Sequence, residues 1–489
     1  MNALELHGVQ KTYPGFTLGP IDLTLPGGTV CGLIGENGAG KSTTLKLILG
    51  ILPPESGTIR VLGKDDLEAF PCTKEDIGVV LSGDGIPTCL TAEQVGKVMA
   101  GIYRNWDAGV YAGFCKRFEL PAKKKYNEYS TGMKMKLCLA VALSHHPKLL
   151  LLDEATSGLD PVVRDELIDL LLDFVRDKNH AILISSHIVS DLEKLCDTIA
   201  FLHKGRLLLC EDKDTAGRIR PLARHRRSTG RAGSGRRGQP AGHTLRGRSA
   251  GQTGRGAHWK RPDAREYRGT VCIDGERGEE RMKGLLLKDW YQIKSNMKTM
   301  YLTVLAVLVI WTLSASGAST FAMNYAAIFL GILPVSLLAY DHSSGWTEYG
   351  LTLPMSRKIQ VAEKYLIGVI CAAVSVGLSG VSCGVIVLLG KPLPDAPVSI
   401  WMEFGVLAIL LMNGIMLPLY YRFGPEKARM LYMLMFAGMG AMLGGGIALM
   451  DAFSGASAAV LVSGLLAAAL VLYAVSWRVS VAWYGKYKK

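Results

Sequence analysis

The sequence predicts an α/β domain built around a parallel sheet, followed by an all-α domain that crosses a lipid bilayer. The first prediction depends on a glycine-rich stretch, 35–43, which lies between an apolar run and a helical pattern. It also depends on a second apolar run, 148–152, which ends in the acidic pair Asp153 and Glu154. The second prediction depends on long uncharged stretches after residue 298, because a spanning helix needs about 20 largely apolar residues.

The stretch 35–43 reads Gly-Glu-Asn-Gly-Ala-Gly-Lys-Ser-Thr, which is typical of a phosphate-binding loop. Its glycines let backbone N–H groups turn towards an anion, and the helix that follows adds its dipole. In such a loop Lys41 reaches the outer phosphates, and the Ser42 hydroxyl binds Mg²⁺. The residues predicted to hold a nucleoside triphosphate are Gly35, Asn37, Gly38, Gly40, Lys41, Ser42 and Thr43.

Two strand ends carry side chains suited to hydrolysis. A strand that is apolar throughout suits the centre of a parallel sheet, and ligands bind at the carboxyl ends of such strands. Asp153 is predicted to hold Mg²⁺, and Glu154 to orient and deprotonate the attacking water. The apolar strand 181–186 delivers His187 to the same edge, where a catalytic role is favoured over a structural one. The alternative for the acidic pair is that both residues cap a following helix.

Two further positions stay open on the residues alone. Tyr13 precedes the phosphate loop, and its ring either stacks on an adenine or belongs to an ordinary surface tyrosine. Ser130 and Gly132 come just before a helical apolar pattern. They either cap that helix or form a second anion site, because both uses need the same exposed N–H groups.

Together these residues resemble the ATP-binding cassette (ABC) ATPase family over about residues 4–211. The resemblance identifies 129–133 as the signature motif, 157–160 as the dimer-contact loop that ends in Asp160, and His187 as the switch histidine. It implies an α/β P-loop NTPase cassette, with a RecA-like core and a helical subdomain, that uses ATP and Mg²⁺.

The same resemblance implies a head-to-tail dimer. Each ATP is then held between Lys41 of one copy and Ser130 and Gly132 of the other, so a second copy or a related subunit is required. One position departs from the family pattern: Ser82 stands where a glutamine usually contacts Mg²⁺. Serine is too short for that contact, and either Asp84 substitutes or the coupling signal is carried otherwise.

Residues 214–281 lack the composition of a folded protein. Between residues 216 and 281 there are 17 Lys and Arg against 6 Asp and Glu, a net +11 of the +13 of the whole chain. The same stretch has 13 Gly and only five Leu, Ile, Val or Phe. So little apolar surface cannot offset the entropy of ordering, which predicts a disordered Arg/Gly-rich linker.

Three origins compete for this segment. It is a flexible linker, a tether for nucleic acid or anionic lipid, or the product of a wrong reading frame. We favour the last, because enrichment in Arg, Gly, Ala and Pro is what a GC-rich gene gives out of frame. The stretch that begins at Met282, which reads as a fresh protein start, supports this interpretation. A single intact frame through codons 214–281 on resequencing would refute it. Nucleic acid is not expected as the main partner, because the predicted membrane spans after residue 298 argue against it.

Residues 282–489 are predicted to form six transmembrane helices. The stretch 299–340 has 42 residues without a charge, room for two helices. Four more uncharged stretches follow: 365–390, 404–421, 430–450 and 452–477. The Lys and Arg residues of this region fall in one set of predicted loops, with only Lys391 in the other. This asymmetry places both ends of the domain in the cytoplasm.

The region 282–489 is similar to permeases of bacterial type-two ABC transporters. The resemblance implies a half-transporter of the bacterial cytoplasmic membrane that exports an antimicrobial peptide, a drug or a lipid by alternating access. The loop 341–363 is either a short helix resting in a groove of the cassette or a simple connection. A different function class also fits, a membrane-tethered ATPase that signals or exerts force without moving a solute.

Overall fold

The computed structural model describes residues 1–83, 85–212, 274–298, 302–303, 305–306, 309, 319–390, 398–452 and 455–484. The predictions for Asp84 and for most of the Arg/Gly-rich segment lie outside the described residues. The same holds for most of the first of the two helices expected in 299–340. The described parts before and after the linker, called here the N-terminal and C-terminal regions, belong to one unit.

The N-terminal region contains two sheets. Its strands are β1 (Asn2–Tyr13), β2 (Phe16–Pro26), β3 (Val30–Ile34), β4 (Ser56–Val61), β5 (Ile77–Val80), β6 (Leu149–Asp153), β7 (Ala181–Ser186), β8 (Thr198–His203) and β9 (Arg206–Asp212). One sheet is antiparallel, with the order β2-β1-β4, and the other has the order β5-β6-β7-β3-β8-β9. The second is parallel from β5 to β8, and β9 pairs antiparallel to β8.

The parallel sheet follows directly from the apolar runs. Every residue of β6 and β7 is buried, as expected for strands covered by helices on both faces. The two strands are neighbours in register, with Asp153 opposite Ser185. The phosphate loop leaves β3, which pairs with β7 on its other side. This topology brings the carboxyl ends of β3, β6 and β7 to one edge, as predicted.

Helices cover the parallel sheet and build a second layer. They are α1 (Lys41–Ile48), α2 (Ala92–Ile102), α3 (Ala108–Arg117), α4 (Thr131–Leu143), α5 (Pro161–Val175) and α6 (Val189–Leu195). Thr91 and Gln94 form a reciprocal capping box that starts α2. Aromatic side chains fill the space between α2, α3 and α4, including Tyr111, Phe114 and Tyr126. These helices therefore form a helical subdomain between β5 and β6.

The C-terminal region is helical wherever it is described with regular structure. Its helices are α7 (Asp274–Asn296), α8 (Ser319–Ser343), α9 (Trp346–Gly350), α10 (Arg357–Leu388), α11 (Val398–Ala452) and α12 (Gly455–Trp483). The long helix α11 is interrupted at Gly424, whose φ of 76° is non-helical, and Pro425 follows. A proline has no N–H to donate, so the break at this position has a local cause.

In the part of the chain that the structure describes, three helical segments are long and apolar enough to cross a bilayer. They are Arg357–Leu388, Val398–Pro425 and Val460–Trp483. The predicted all-α membrane domain is therefore supported with at least three spans. The count of six transmembrane helices remains a prediction.

The predicted boundary at residue 282 differs from the structure. Helix α7 already begins at Asp274, inside the segment expected to be disordered up to residue 281. The reason is tertiary, since the buried Arg281 forms an ion pair with Glu75 at 3.0 Å. Gly284 of α7 also crosses Gly101 of α2 so closely that a Cβ on either would lie within 2.9 Å of the other's backbone. The N-terminal region thus orders this part of the chain.

Candidate functional site

The phosphate loop joins β3 to α1 with its lysine buried. Lys41 Nζ donates hydrogen bonds to the carbonyl oxygens of Gly35 at 2.8 Å and Glu36 at 3.2 Å. Gly40 has a φ of 108°, and a Cβ there would lie 2.6 Å from Leu18 Cδ1. Only glycine therefore fits at this position without strain or displacement of the apolar contact.

Asp153 is fixed at the end of β6 by two serine hydroxyls. Ser185 Oγ donates to its Oδ1 and Ser82 Oγ donates to its Oδ2, each at 2.6 Å. Asp153 is itself buried. Ser82 is the residue that stands where the family glutamine was expected, and its contact with Asp153 places it beside the predicted Mg²⁺ ligand.

Glu154 lies between the other predicted site residues and contacts two of them. Its backbone has a φ of 51°, a left-handed conformation that is costly for a residue with a side chain. Its N–H donates to the Ser185 carbonyl at 3.1 Å and Oγ at 3.0 Å, which fixes this turn. Its Oε1 lies 3.5 Å from Lys41 Nζ and 3.7 Å from His187 Nδ1. The structure therefore brings together the phosphate lysine, both acids and the histidine.

Ser130 and Asp160 lie at the starts of two helices. Ser130 Oγ accepts from Met133 N at 3.3 Å and caps α4, while Asp160 Oδ1 accepts from Val163 N at 3.0 Å and caps α5. A Cβ on Gly132 would lie 3.7 Å from Leu159 Cδ2, so the two helix starts adjoin each other. Among the described contacts, these residues make no hydrogen bond or ion pair with Lys41, Asp153 or Glu154.

Tyr13 ends β1, opposite Phe16 of β2. Its ring is half-buried. Burial raises the pKa of its hydroxyl, and the nearby negative charge of Glu55 raises it further. Phe16 packs on the phosphate loop, since its Cζ lies 3.2 Å from a Cβ built on Gly40. The hairpin therefore places Phe16 beside the loop, with Tyr13 opposite Phe16 on the neighbouring strand.

The donor set fits a small hard cation. Asp153 offers carboxylate oxygen at the end of β6, and Ser42 carries a hydroxyl at the start of α1. Mg²⁺ prefers oxygen ligands, usually takes one or two from the protein, and completes its shell with water and phosphate. Within the described ranges no group of three or more His, Cys, Asp or Glu side chains could hold a metal. A site shared with a triphosphate suits this arrangement.

A second set of contacts joins the two regions. The short helix α9 buries Trp346 and Tyr349 in the same apolar cluster as the α2–α4 subdomain. Lys46 of α1 forms a 2.7 Å ion pair with Glu348. Lys74 Nζ, whose pKa burial lowers to about 8, donates to the Leu351 carbonyl at 2.7 Å. Of the two alternatives for the 341–363 loop, the structure confirms the short helix seated on the N-terminal region.

Several site residues were not found from the sequence. Ser185 supports both acids, and its only sequence signal is its position at the end of an apolar strand. Arg357 was counted as a loop charge, yet its Nη2 donates to the Gly50 carbonyl at 3.2 Å and its Nε lies 3.3 Å from Glu68. Such pairs lie about 300 residues apart in sequence, so local patterns carry no trace of them.

Two family descriptions match this chain. Residues 18–157 match "ABC transporter", and residues 284–485 match "ABC-2 family transporter protein". Among solved structures, an ATP-binding subunit of an ABC transporter is 29% identical, covering 45% of this chain and 94% of that one with a TM-score of 0.42.

Curated relatives match the N-terminal region. The ABC transporter ATP-binding protein YtrB of Bacillus subtilis is 35% identical over 212 residues, which are 43% of this chain and 72% of YtrB. The bacitracin transport ATP-binding protein BcrA of Bacillus licheniformis is 33% identical over 42% of this chain and 66% of BcrA. The lantibiotic transport ATP-binding protein SrtF of Streptococcus pyogenes is 32% identical over 45% of this chain and 95% of SrtF. The chain therefore belongs to the ABC transporter family, with an ATP-hydrolysing cassette joined to an ABC-2 family membrane domain.

Proposed function

We propose that the chain is a half-transporter that works as a dimer and exports an amphipathic compound across the bacterial cytoplasmic membrane. Its cargo class is an antimicrobial peptide, a drug or a lipid. The names of two relatives support this class of cargo, since one is a bacitracin and another a lantibiotic transport protein. The second copy, or a related subunit, supplies Ser130 and Gly132 to the ATP held by Lys41.

The roles of the residues follow from their positions. Lys41, which lies within reach of Glu154, exchanges its carbonyl and carboxylate partners for the outer phosphates. Glu154 orients a water molecule and takes its proton. His187 contacts the phosphate that this water attacks. Asp153 and Ser42 would hold Mg²⁺, which neutralises phosphate charge when it is bound. Tyr13 offers a partly exposed ring for the adenine.

The observation that carries this proposal is the seating of α9 on the cassette. Lys46 lies on α1, the helix that follows the phosphate loop, and its partner Glu348 lies on α9. A shift of α1 on ATP binding therefore displaces α9 directly. A six-residue turn, 351–356, joins α9 to α10, one of the candidate spans. The residues that contact phosphate are thereby linked to the membrane helices through α1 and α9.

Reconstitution in lipid vesicles tests the proposal. With ATP and Mg²⁺ added outside, chains whose cassettes face the outer solution are expected to move a labelled lantibiotic or bacitracin into the vesicle lumen against its gradient, with hydrolysis rising on cargo addition. The Lys41→Ala chain is the matched control, since it keeps the membrane domain and loses the phosphate contact. Steady hydrolysis with neither cargo movement nor cargo stimulation would instead indicate a membrane-tethered ATPase that exports nothing.

Ser82 gives a specific test of the acidic strand end. In the Ser82→Ala chain Asp153 loses one of its two hydroxyl donors, and a hydrogen bond to a charged group contributes about 1.5–3 kcal/mol. We therefore expect weaker Mg²⁺ binding, with the Mg²⁺ concentration that gives half-maximal hydrolysis raised about tenfold. Ser82→Thr, which keeps the hydroxyl, serves as the control. Equal Mg²⁺ curves for all three chains would remove Ser82 from the site.

A further inference from the structure

Charged side chains meet inside the C-terminal region where α7, α8 and α10 join. None of them is more than 3% exposed, and we call them the junction cluster: Lys288, Asp289, Asp341, Glu363 and Lys364. None of these residues was singled out as a site from the sequence. A buried charge is costly unless it is paired and hydrogen-bonded, so the pairing within the cluster decides its charge state.

Two aspartates and two lysines are paired closely. Lys288 Nζ donates to both carboxylate oxygens of Asp341 at 2.7 Å. Lys364 Nζ donates to Asp289 Oδ2 at 2.6 Å and lies 2.9 Å from Asp341 Oδ2. Gln292 Nε2 adds a third donor to Asp341 at 3.0 Å. These contacts use both ammonium groups for the two aspartates.

Glu363 is the carboxyl group left over. Its contact with Lys364 is long, with 3.6 Å between Nζ and Oε2. Its Oε1 is buried without a hydrogen-bond partner. Asp289 Oδ1 is likewise buried without one, although it lies 2.9 Å from Lys288 Nζ, because that approach lacks hydrogen-bond geometry. Three carboxyl groups thus face two ammonium groups, and two acceptor oxygens have no donor.

We propose that the junction cluster is a proton-binding site, in which Glu363 carries one titratable proton and donates it in a hydrogen bond to Asp289. The proton makes the cluster electrically neutral and gives both orphaned oxygens a partner. Carboxyl–carboxylate pairs share a proton in this way when two like charges cannot both be ionised at close range.

The state of Asp289 supports this assignment. Burial raises the pKa of Asp289, but the positive charges of Lys288 and Lys364 outweigh burial and lower it to about 2. Asp289 is therefore the carboxylate of the pair, and Glu363 the acid. Among the described residues, two further titratable groups interact electrostatically with Glu363: Tyr421 of α11 and Tyr484 after α12. Both are phenols, which are neutral at physiological pH and cannot supply the missing positive charge.

The proton site adjoins the element that joins membrane helices to cassette. Lys288 Nζ lies 5.0 Å from the centre of the Trp346 ring of α9. Gln360, one turn before Glu363 on α10, donates to the Gly350 carbonyl at the end of α9 at 2.8 Å. Loss of the proton leaves one uncompensated negative charge in the cluster. Repulsion among the carboxylates then loosens α10 from α7 at the seat of α9.

The test compares the detergent-solubilised full chain with Glu363→Gln, which has the shape and charge of the protonated acid. At pH values above the range in which a glutamate ordinarily titrates, the unfolded chain has released the Glu363 proton and the folded protein still holds it. Stability of the unmodified chain must therefore fall as pH rises, by up to about tenfold in the folding equilibrium per pH unit. We expect its thermal midpoint to decline relative to the variant between about pH 5 and about pH 9.

An infrared measurement makes the assignment independent of folding. At neutral pH the unmodified chain is expected to show the carbonyl band of a buried carboxylic acid, and Glu363→Gln is expected to lack it. Glu403→Gln is the matched control, since Glu403 lies in the same region outside the cluster and accepts from Ser463. Parallel midpoints for the unmodified chain and Glu363→Gln at every pH, or a carboxylic-acid band that survives in the variant, would overturn the proposal.

Discussion

Replacing Glu154 by glutamine is expected to stop hydrolysis while leaving ATP bound. The amide keeps the size of the side chain but cannot accept a proton from water, and a positioned general base contributes about 10²–10⁴-fold to a rate. We expect ATP turnover to fall by at least about 100-fold. Binding depends on Lys41 and the loop glycines, so affinity for ATP is expected to stay within about threefold.

Single-turnover hydrolysis and equilibrium ATP binding, measured on the same preparation, check this result. Lys41→Ala is the complementary control, because it removes the buried ammonium group that lies 3.5 Å from Glu154 Oε1 and is expected to lose binding itself. If the Glu154→Gln chain hydrolyses ATP at the unmodified rate, the base is another group. His187, at 3.7 Å from Glu154, would then be the next residue to change.

Reversing one charge at the α1–α9 contact is expected to uncouple the two regions. Lys46 and Glu348 form a 2.7 Å pair in which both side chains are about three-quarters buried. Either Lys46→Glu or Glu348→Lys places like charges opposite each other, which is destabilising at this distance. We expect basal ATP hydrolysis to persist in Glu348→Lys, while its stimulation by cargo is lost.

The double exchange, Lys46→Glu with Glu348→Lys, restores an opposite pair in reverse order. It is expected to recover most of the stimulation, because the coupling of two residues appears as non-additivity in such a cycle. Lys97→Glu is a suitable surface control, since Lys97 pairs with Glu93 on the exposed face of α2. Additive losses in the double variant would mean that the two side chains act separately.

The cassette was largely predictable because its information is local. An apolar strand ending in Asp153-Glu154 and a glycine loop before α1 each specify an element, a position and a chemistry. The parallel sheet then brings their ends together, as the 3.5 Å approach of Lys41 to Glu154 confirms. Local patterns could not reveal which side chains hold these site residues in place. Ser82 and Ser185 reach Asp153 only through strand order, and a lone serine carries no signal of its own.

The membrane region was predictable in class and less so in detail. Uncharged stretches indicate spanning helices, and three candidates are present among the described residues. Charge counting treated Lys288 and Lys364 as loop residues, whereas both are buried in helices and paired with aspartates. Their partners lie 53 and 75 residues away. Periodicity cannot distinguish such a buried ion pair from a solvated charge.

The account depends on α9 lying on the cassette, and a disulfide cross-link tests that contact most directly. A Cβ built on Gly85 lies 3.1 Å from Tyr349 Cβ, close to the separation of about 3.8 Å found in disulfides. In native membranes, the chain with Gly85→Cys and Tyr349→Cys is expected to form this bond under mild oxidation, as identified by mass spectrometry of the joined peptides. Gly113→Cys with Tyr349→Cys, the control pair, is expected to form none. Absence of the first cross-link, with both cysteines shown to be reduced and intact, would contradict the account.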